Sequence, residues 1–468
     1  MGVRFVSTLP VQGSAVSRRG LLAAGLGAGA ALAAGAAPAA AAPRRRRGPG
    51  AAGPGRRAVA FLDAMTDAHE RTGPIRLPQS YADELGLYTT GFTYDAALAA
   101  LAYLADGRPG SVDRAGRLAR ALVWAQQNDP HHSDGRLRQA YAVGPYTRNG
   151  VEQPYGLVRG DGTANVGGPF GFVGSGTGEL AWAGIALCAA YQRIGDAALR
   201  AAAVRLARWI VNTCRVPGGF LDGLDRGGRP VRYLGTARHA VLAAFFDHLE
   251  TATDDHEWHR HKVHANRFAR SMFSADRGGF RAGRPVDADE PDRGHFVLES
   301  QTLGYLGLPE HRHRDALDLV DRRLIVEDTA GRRNSALRGA QRFVGTTIST
   351  LSRTVDENTP IEGGTVRPDR YGVWLEGTAQ YAVALHAAGD RAGTREQLDT
   401  LEAAQEQLGV DQHVGDRPIA GGGLVAATSP LHVGYLDSGY YPYLHVAATS
   451  WYVLALTGHN PLTVRPWC

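Results

Sequence analysis

The strongest constraint on the fold is a regular alternation between two kinds of helical segment, which begins near residue 58. One kind is amphipathic with arginines on its polar side, which is typical of a helix with one face in solvent. These outer segments are 58–70, 112–127, 197–212, 257–273, 314–325 and 394–408. The other kind is apolar or small on nearly every side, which is typical of a helix buried all round. These inner segments are 95–104, 179–191, 237–249, 299–308, 376–388 and 445–456. The sequence therefore predicts an all-α domain of six helical hairpins.

The spacing of the inner segments excludes a short-repeat array. Their first ionisable residues lie 60 to 84 positions apart, whereas tetratricopeptide and ankyrin arrays repeat at roughly 33 or 34 residues. The additional residues must form connections, and 129–175 and 326–372 are long while the turns around Gly195 and Gly389 are short. Long outer-to-inner connections would place the starts of all inner helices at one end of the domain, where long loops usually serve function.

The N-terminal region is typical of an export signal. It contains Arg18-Arg19 and no acidic residue, followed by an Ala- and Gly-rich stretch and small residues up to Pro43. We interpret 1–42 as a twin-arginine signal peptide, which makes the export machinery a partner and the location extracellular. The Ala/Gly stretch would partition poorly into hydrocarbon, so no stable membrane insertion is expected. Residues 43–57 are predicted to be a disordered linker, and 58–468 to be the catalytic domain.

The basic charge of the chain comes from its N-terminus. Residues 1–57 contain nine arginines and no acid, which leaves 42 basic against 46 acidic residues in 58–468. The domain is therefore mildly acidic, and a nucleic-acid partner is not expected. Cys188, Cys214 and Cys468 are too few for a disulfide framework. We expect a monomer.

Four sequence segments support a resemblance to a known superfamily. They are Gly91-Phe-Thr-Tyr-Asp-Ala-Ala-Leu98, Phe172-Val-Gly-Ser-Gly-Thr-Gly-Glu-Leu-Ala-Trp182, Trp374-Leu-Glu-Gly-Thr-Ala-Gln380 and Tyr440-Tyr-Pro-Tyr-Leu-His445. With the hairpin alternation, the region from 58 to about 460 resembles the six-hairpin glycosidase superfamily, and in particular its secreted, twin-arginine-exported actinobacterial members to which no substrate is assigned. The resemblance implies an (α/α)6 toroid and an enzyme that acts on carbohydrate. It assigns no catalytic residue.

The first turns of the inner segments carry the candidate catalytic groups. Each segment begins near an ionisable residue, and the set is Asp95, Glu179, His239, Glu299, Glu376 and His445. Carboxylates at helix starts also serve simply as caps that interact with the helix dipole. However, these segments are otherwise almost free of charge, and the dipole does not explain the two histidines. Around a ring of inner helices all six would face one opening.

Glycoside hydrolysis requires two carboxyl groups, one protonated and one ionised. The candidate catalytic residues are Glu376, Asp95, Glu179 and Glu299. We favour Glu376 as the acid, because Trp374 and other apolar neighbours disfavour its ionised form, and Asp95 as the base, with Glu179 in reserve. Facing positions across the ring favour the wider carboxylate separation of an inverting mechanism.

Further residues are candidates for sugar binding. Aromatic rings stack on sugar faces and polar side chains bind hydroxyl groups. The candidates are His239, His445, Trp374, Tyr441, Tyr443, Tyr146, Tyr155, Asn165 and Gln380. The aromatic residues would serve equally well to pack the loops onto the toroid.

The sequence predicts no cofactor and no metal. The single lysine, Lys262, follows His261, so a phosphate-binding loop is excluded. Gly174, Gly176 and Gly178 approach a dinucleotide pattern but have no preceding strand. Two alternatives to a hydrolase stay open: a polysaccharide lyase that uses Tyr or His to abstract a proton from a uronate, and a non-catalytic glycan-binding protein.

The export signal can be tested directly. Replacing Arg18-Arg19 by Lys-Lys is expected to leave folded protein in the cytoplasm, because the export machinery reads the arginine pair. Immunoblots of cell and medium fractions measure the distribution. Unchanged secretion would contradict the assignment.

Overall fold

The computed structural model describes residues 53–288, 291, 294–419 and 421–464, and these contain twelve α-helices. The outer helices are α1 Pro54–Asp67, α3 Pro109–Gln127, α5 Ala197–Cys214, α7 Glu257–Ser271, α9 Asp315–Arg323 and α11 Arg391–Gln407. The inner helices are α2 Thr93–Asp106, α4 Thr177–Ile194, α6 Thr236–Thr253, α8 Leu298–Gly307, α10 Leu375–Ala387 and α12 Val446–Thr457. The predicted all-α class is confirmed. The signal peptide 1–42, most of the linker and Cys468 lie outside the described residues.

The six inner helices form a closed ring. Each packs against the next in chain order, and α12 packs against α2. The outer helices cover this ring from outside, and most contact two neighbouring inner helices, as α3 does with α2 and α4. Helix α1 closes the outer layer by packing on α12 and α2. The predicted (α/α)6 toroid is confirmed.

Small residues allow the inner helices to approach one another closely. Ala96, Ala97, Ala99 and Ala100 of α2 are fully buried. On α4, a Cβ atom at Gly184 would collide with the Phe245 ring of α6. Neighbouring inner helices therefore pack closely because small residues lie at their interfaces. None of the helices in the described ranges reaches the length and hydropathy of a bilayer-spanning segment.

Two short inner-to-outer turns have the same chemistry. Gly195 and Gly389 adopt left-handed backbone angles, with φ of 80° and 77°. The next residue caps the following helix: an Asp196 carboxylate oxygen accepts from the Ala198 N–H at 3.1 Å, and an Asp390 oxygen accepts from the Gly393 N–H at 2.9 Å. Glycine tolerates the left-handed conformation and aspartate satisfies a free N–H group at a helix start, so these turns can be short.

The long connections contain short antiparallel strand pairs. The pairs are β1 Thr90–Phe92 with β2 Ala140–Ala142, β3 Tyr146–Arg148 with β4 Val151–Gln153, β5 Ser175–Gly176 with β8 Gly223–Leu224, β6 Arg215–Val216 with β7 Gly219–Phe220, β9 Tyr233–Gly235 with β12 Gly283–Pro285, β10 Phe273–Ser274 with β11 Gly279–Phe280, β13 Ile325–Thr329 with β14 Arg342–Thr346, β15 His413–Val414 with β16 Arg417–Pro418, β17 Leu424–Val425 with β20 Leu444–His445, and β18 Leu431–His432 with β19 Gly439–Tyr440. Several pairs join two different connections, as β9 and β12 do. The strands therefore tie the connections together at the end where the inner helices begin.

The helical domain begins earlier than predicted. Helix α1 starts at Pro54, whereas the sequence placed 54–57 in a disordered linker. Proline is favoured in the first turn of a helix because its φ is already suitable and its missing N–H is not needed there. Arg57 then donates from Nη2 to Gln405 Oε1 at 2.9 Å. Residues 54–57 therefore belong to the toroid.

A buried pair of aspartates joins two long connections. Asp328 accepts hydrogen bonds from the hydroxyl groups of Thr428 and Ser429, both at 2.6 Å. Asp369 lies beside Asp328, and its backbone N–H donates to the Pro430 carbonyl at 2.7 Å. Burial, reinforced by the Asp328 charge, raises the pKa of Asp369 to about 7. Asp369 is therefore protonated in mildly acidic solution.

This pair predicts a loss of stability at alkaline pH. Because the folded-state pKa of Asp369 is raised, its contribution is fully present below the unfolded value of about 4 and is lost as the pH rises through about 7. An Asp369→Asn side chain cannot ionise and can still donate to Asp328. We expect the variant to gain about 2–3 kcal/mol relative to the wild type between pH 5 and pH 8.5.

Melting temperatures at the two pH values provide the measurement. Asp356→Asn is the control, because Asp356 lies in the same connection but is exposed. Equal pH dependence in the wild type and in Asp369→Asn would show that the aspartate pair does not carry this effect.

Candidate active site

The first turns of five inner helices, α2, α4, α6, α8 and α10, surround one cavity of about 110 Å³. The connections complete its wall with residues that include His295, Tyr435 and Tyr440. The starts of the inner helices and the long connections thus meet at one end of the toroid, in agreement with the pattern in the sequence.

Three of the four predicted catalytic carboxylates line this cavity: Glu179 of α4, Glu299 of α8 and Glu376 of α10. Each lies in the first turn of its helix, where the helix dipole favours a negative charge. The exposed fraction is 5% for Glu179 and 1% for Glu376. These acids are therefore largely shielded from solvent.

Donors on three inner helices fix the Glu376 carboxyl group. Tyr94 Oη on α2 donates to Glu376 Oε1 at 2.6 Å, and Trp451 Nε1 on α12 donates to Tyr94 Oη at 3.1 Å. Gln380, one turn further along α10, also donates from Nε2 to Glu376 Oε1 at 3.3 Å. The predicted candidate Gln380 thus contacts the acid from within the buried interior.

Burial raises the pKa of Glu376 well above its ordinary value. The negative charges of Glu299 and Asp95 raise it further, while the hydrogen bonds from Tyr94 and Gln380 act in the opposite direction. The raised pKa favours the protonated form of Glu376, which is the state required of a proton donor.

The environment of Glu299 differs because a cation lies nearby. Burial raises the pKa of Glu299, but the Arg238 guanidinium and a hydrogen bond with Gln380 lower it in part. Arg238 also forms an ion pair with buried Asp222, whose pKa burial raises to about 7. Among the described residues of the cavity wall, three carboxylates face the single guanidinium of Arg238.

The structure does not bring the fourth predicted acid to the cavity wall. The Asp95 side chain is fully buried between α2 and α12, and its Oδ2 lies 3.3 Å from His445 Nε2. His445 is also fully buried, and its Nδ1 lies 3.8 Å from Glu376 Oε2. Asp95 and His445 therefore lie behind Glu376 rather than beside it in the cavity.

Two predicted binding residues are bonded to the backbone instead. His239 is fully buried, and its Nδ1 and Nε2 contact the Gly235 carbonyl and the Phe220 N–H at 2.7 and 2.8 Å. Burial lowers the pKa of His239 to about 3, so the ring is neutral. Asn165 donates from Nδ2 to the Gly156 carbonyl at 3.0 Å. Neither side chain reaches the cavity.

The predicted aromatic residues also lie outside the cavity wall. Trp374 is buried and its ring packs on Tyr440 at a centroid distance of 5.6 Å. Tyr441 is buried, Tyr443 is half-buried, and Tyr146 packs in its loop against Tyr88. Tyr155 is exposed. In this structure these rings pack the connections onto the toroid, which was the alternative interpretation of the sequence.

Sequence reasoning missed several residues that do line the cavity. The most important are Tyr94 and Arg238, each of which directly precedes a predicted residue, Asp95 or His239. A signal for Arg238 was present, since it is the only arginine in the first turn of any inner helix. The aromatic wall consists of Trp182, Tyr233, Tyr435 and Tyr440.

Comparisons with known proteins identify the architecture. No family model matches the chain, and no curated protein matches it. A novel alpha-amylase from Clostridium perfringens is 10% identical, with a TM-score of 0.51 over 88% of this chain and 99% of that chain. A cellobiose 2-epimerase from Bacillus thermoamylovorans is 9% identical, with a TM-score of 0.54 over 86% and 97%. A glycosidase in complex with glucose is 12% identical, with a TM-score of 0.54 over 86% and 95%.

Identities this low establish the architecture and do not transfer an activity. Together with the closed ring of inner helices, they show that this chain has the (α/α)6 toroid fold that these structures share.

Proposed function

We propose that this protein is an exported glycoside hydrolase that removes a terminal neutral sugar from its substrate. The observation that carries the proposal is a cavity with a buried, hydrogen-bonded carboxyl group, Glu376, and further carboxyl groups in the same wall. Such a combination of one neutral acid and one ionised carboxylate is what glycoside hydrolysis requires.

Glu376 is the general acid. Burial and the Glu299 charge keep its proton in place, and Tyr94 fixes the orientation of the carboxyl group. In the reaction, the Glu376 proton passes to the glycosidic oxygen while the bond from that oxygen to the anomeric carbon breaks. The leaving group departs as an alcohol and Glu376 becomes a carboxylate.

Glu179 is the general base. Helices α4 and α10 lie on opposite sides of the ring, since α4 contacts α2 and α6 whereas α10 contacts α8 and α12. Glu179 accepts a proton from water as the water oxygen bonds to the anomeric carbon. Opposed carboxyl groups leave room for that water, which supports inversion. Asp95, the base favoured by the sequence, lies outside the cavity wall.

The cavity supports a small neutral substrate. Its wall contains the rings of Trp182, Tyr233 and Tyr440, which suit the apolar faces of a sugar. Its volume of about 110 Å³ suits a single sugar unit better than a polysaccharide chain. The surplus of carboxylates over Arg238, which is already paired with Asp222, disfavours an anionic sugar.

The same features weigh against the other reactions. A lyase must neutralise a uronate carboxylate, but Arg238, the single guanidinium among the described residues of the wall, is already paired with Asp222. Epimerases and isomerases are among the structural neighbours, but His295 is the only histidine among the described residues of the wall, whereas His239 and His445 are buried away from it. Hydrolysis is therefore the reaction best supported by the site.

Isosteric amides test the two catalytic assignments. We expect Glu376→Gln and Glu179→Gln each to lower kcat by roughly 10²–10⁴, because an amide can neither donate the proton nor activate water. The double variant should lose much less than the product of the single losses. Steady-state kinetics and thermal melts on the same preparations provide the measurements.

Asp63→Asn is the matched control. Asp63 accepts a hydrogen bond from Tyr103 Oη at 2.8 Å and has a pKa raised by burial, like Glu376, but Tyr103 lies at the opposite end of α2. This substitution should cost about 1 kcal/mol of stability and leave kcat unchanged. Full activity in both glutamine variants would exclude the mechanism.

The substrate class makes a separate prediction. Aryl glycosides of single neutral sugars should be hydrolysed at least tenfold faster than the corresponding uronides, measured as kcat/KM, because the buried carboxylates repel a second negative charge. Proton NMR of the fresh product should show the inverted anomer. Cleavage of a polysaccharide blocked at both ends would contradict terminal action, and a retained anomer would contradict the role of Glu179.

A further inference from the structure

Three titratable side chains meet in the interior behind the cavity: Asp95 of α2, Glu376 of α10 and His445 at the start of α12. His445 lies between the two acids, with Nε2 3.3 Å from Asp95 Oδ2 and Nδ1 3.8 Å from Glu376 Oε2. All three side chains are at most 1% exposed. The imidazole therefore connects a cavity-lining acid with an acid that does not line the cavity.

The hydrogen-bonding capacity of this group is incompletely satisfied. Within the described residues, both oxygens of Asp95, both ring nitrogens of His445 and Glu376 Oε2 have no hydrogen-bond partner. Polar atoms buried in this way are costly unless their charges compensate one another. The ionisation states of the three residues must therefore be coupled.

The surroundings contain other acidic groups and tyrosines. The Tyr81 ring stacks on His445 at a centroid distance of 4.1 Å, Tyr94 donates to Glu376, and the charge of Glu299 acts on Glu376 from α8. The charge of Glu376 also acts on Tyr440. Burial raises the pKa of Tyr81, Tyr94 and Tyr440, so these neighbours are neutral phenols.

Two of the neutral arrangements of protons differ in whether Asp95 or Glu376 carries the negative charge. With Asp95 ionised, His445 protonated and Glu376 neutral, the group has no net charge and the nearer carboxylate pairs with the imidazolium. If the imidazolium instead faced Asp95 as a neutral acid, Glu376 would have to supply the negative charge, and it would lose the proton that catalysis requires.

We infer that Asp95 and His445 are a positioning pair for Glu376, in which the Asp95 carboxylate pairs with the His445 imidazolium so that Glu376 remains a neutral acid. This inference rests on the proposed role of Glu376. Asp95 and His445 do not touch the substrate, and they act only through the acid.

The pH dependence of kcat/KM in Asp95→Asn tests the pair. Without the Asp95 charge, the imidazolium has only Glu376 as an anionic partner, so Glu376 should lose its proton more easily. We expect the variant to keep its activity at low pH, while the alkaline limb of the profile moves down by at least one pH unit. At a pH above that limb the loss would be at least tenfold.

Two further variants make the result specific. His239→Gln is the matched control, because His239 is also fully buried at the start of an inner helix but forms hydrogen bonds only with backbone groups. It should lower the melting temperature without moving the alkaline limb. In a His445→Gln background, the Asp95→Asn substitution should produce no further shift, since the effect passes through the imidazole.

Each other outcome overturns the inference in a distinct way. Loss of activity at every pH in Asp95→Asn would make Asp95 a catalytic base. An unchanged profile, or the same shift in His239→Gln, would make the pair merely structural. If the wild-type protein hydrolyses no glycoside, the proposed function fails instead. In that case the pH dependence of melting, altered in Asp95→Asn but not in His239→Gln, still tests the coupling.

Discussion

Closure of the inner ring is the constraint on which the rest of the structure depends. The inner helices are apolar around most of their circumference, so each needs an inner neighbour on both sides and an outer helix behind it. An open ring would expose one side of α2 and one side of α12, and burial of apolar surface is worth roughly 25 cal/mol per Å². The contact between α12 and α2 therefore completes the coverage of the whole set. It also places the starts of the inner helices around a single space.

This convergence sets two electrostatic effects against each other. The helix starts favour negative charge, while burial favours neutral acids. The outcome depends on the neighbours of each acid. Glu299 lies near Arg238, whereas Glu376 lies between Glu299 and Asp95. Equivalent positions on similar helices thus place the same residue type in different electrostatic surroundings.

The helices were predictable because burial on all sides is a local property of the sequence, whereas the direction of each side chain was not. Successive residues on a helix point about 100° apart. The expectation that ionisable residues at the starts of the inner helices line the cavity therefore identified Glu179, Glu299 and Glu376 correctly. On α2, however, it selected Asp95 instead of Tyr94, and on α6 it selected His239 instead of Arg238. His295 and Tyr435 could not be predicted, because tertiary contacts between distant connections decide which loop residues reach the cavity.

The one-residue offset on α2 has a physical consequence for the interior. Tyr94 faces the cavity, and Asp95 consequently points between helices that are otherwise filled with alanine and large apolar residues. A buried ion pair of this kind is usually less stabilising than apolar residues of the same volume. Asp95 and His445 thus make the toroid less stable than apolar residues would at the same positions. The inferred role of the pair provides a reason for that cost, since an imidazolium paired with Asp95 stabilises the ionised form of Glu376 less strongly than an unpaired imidazolium would.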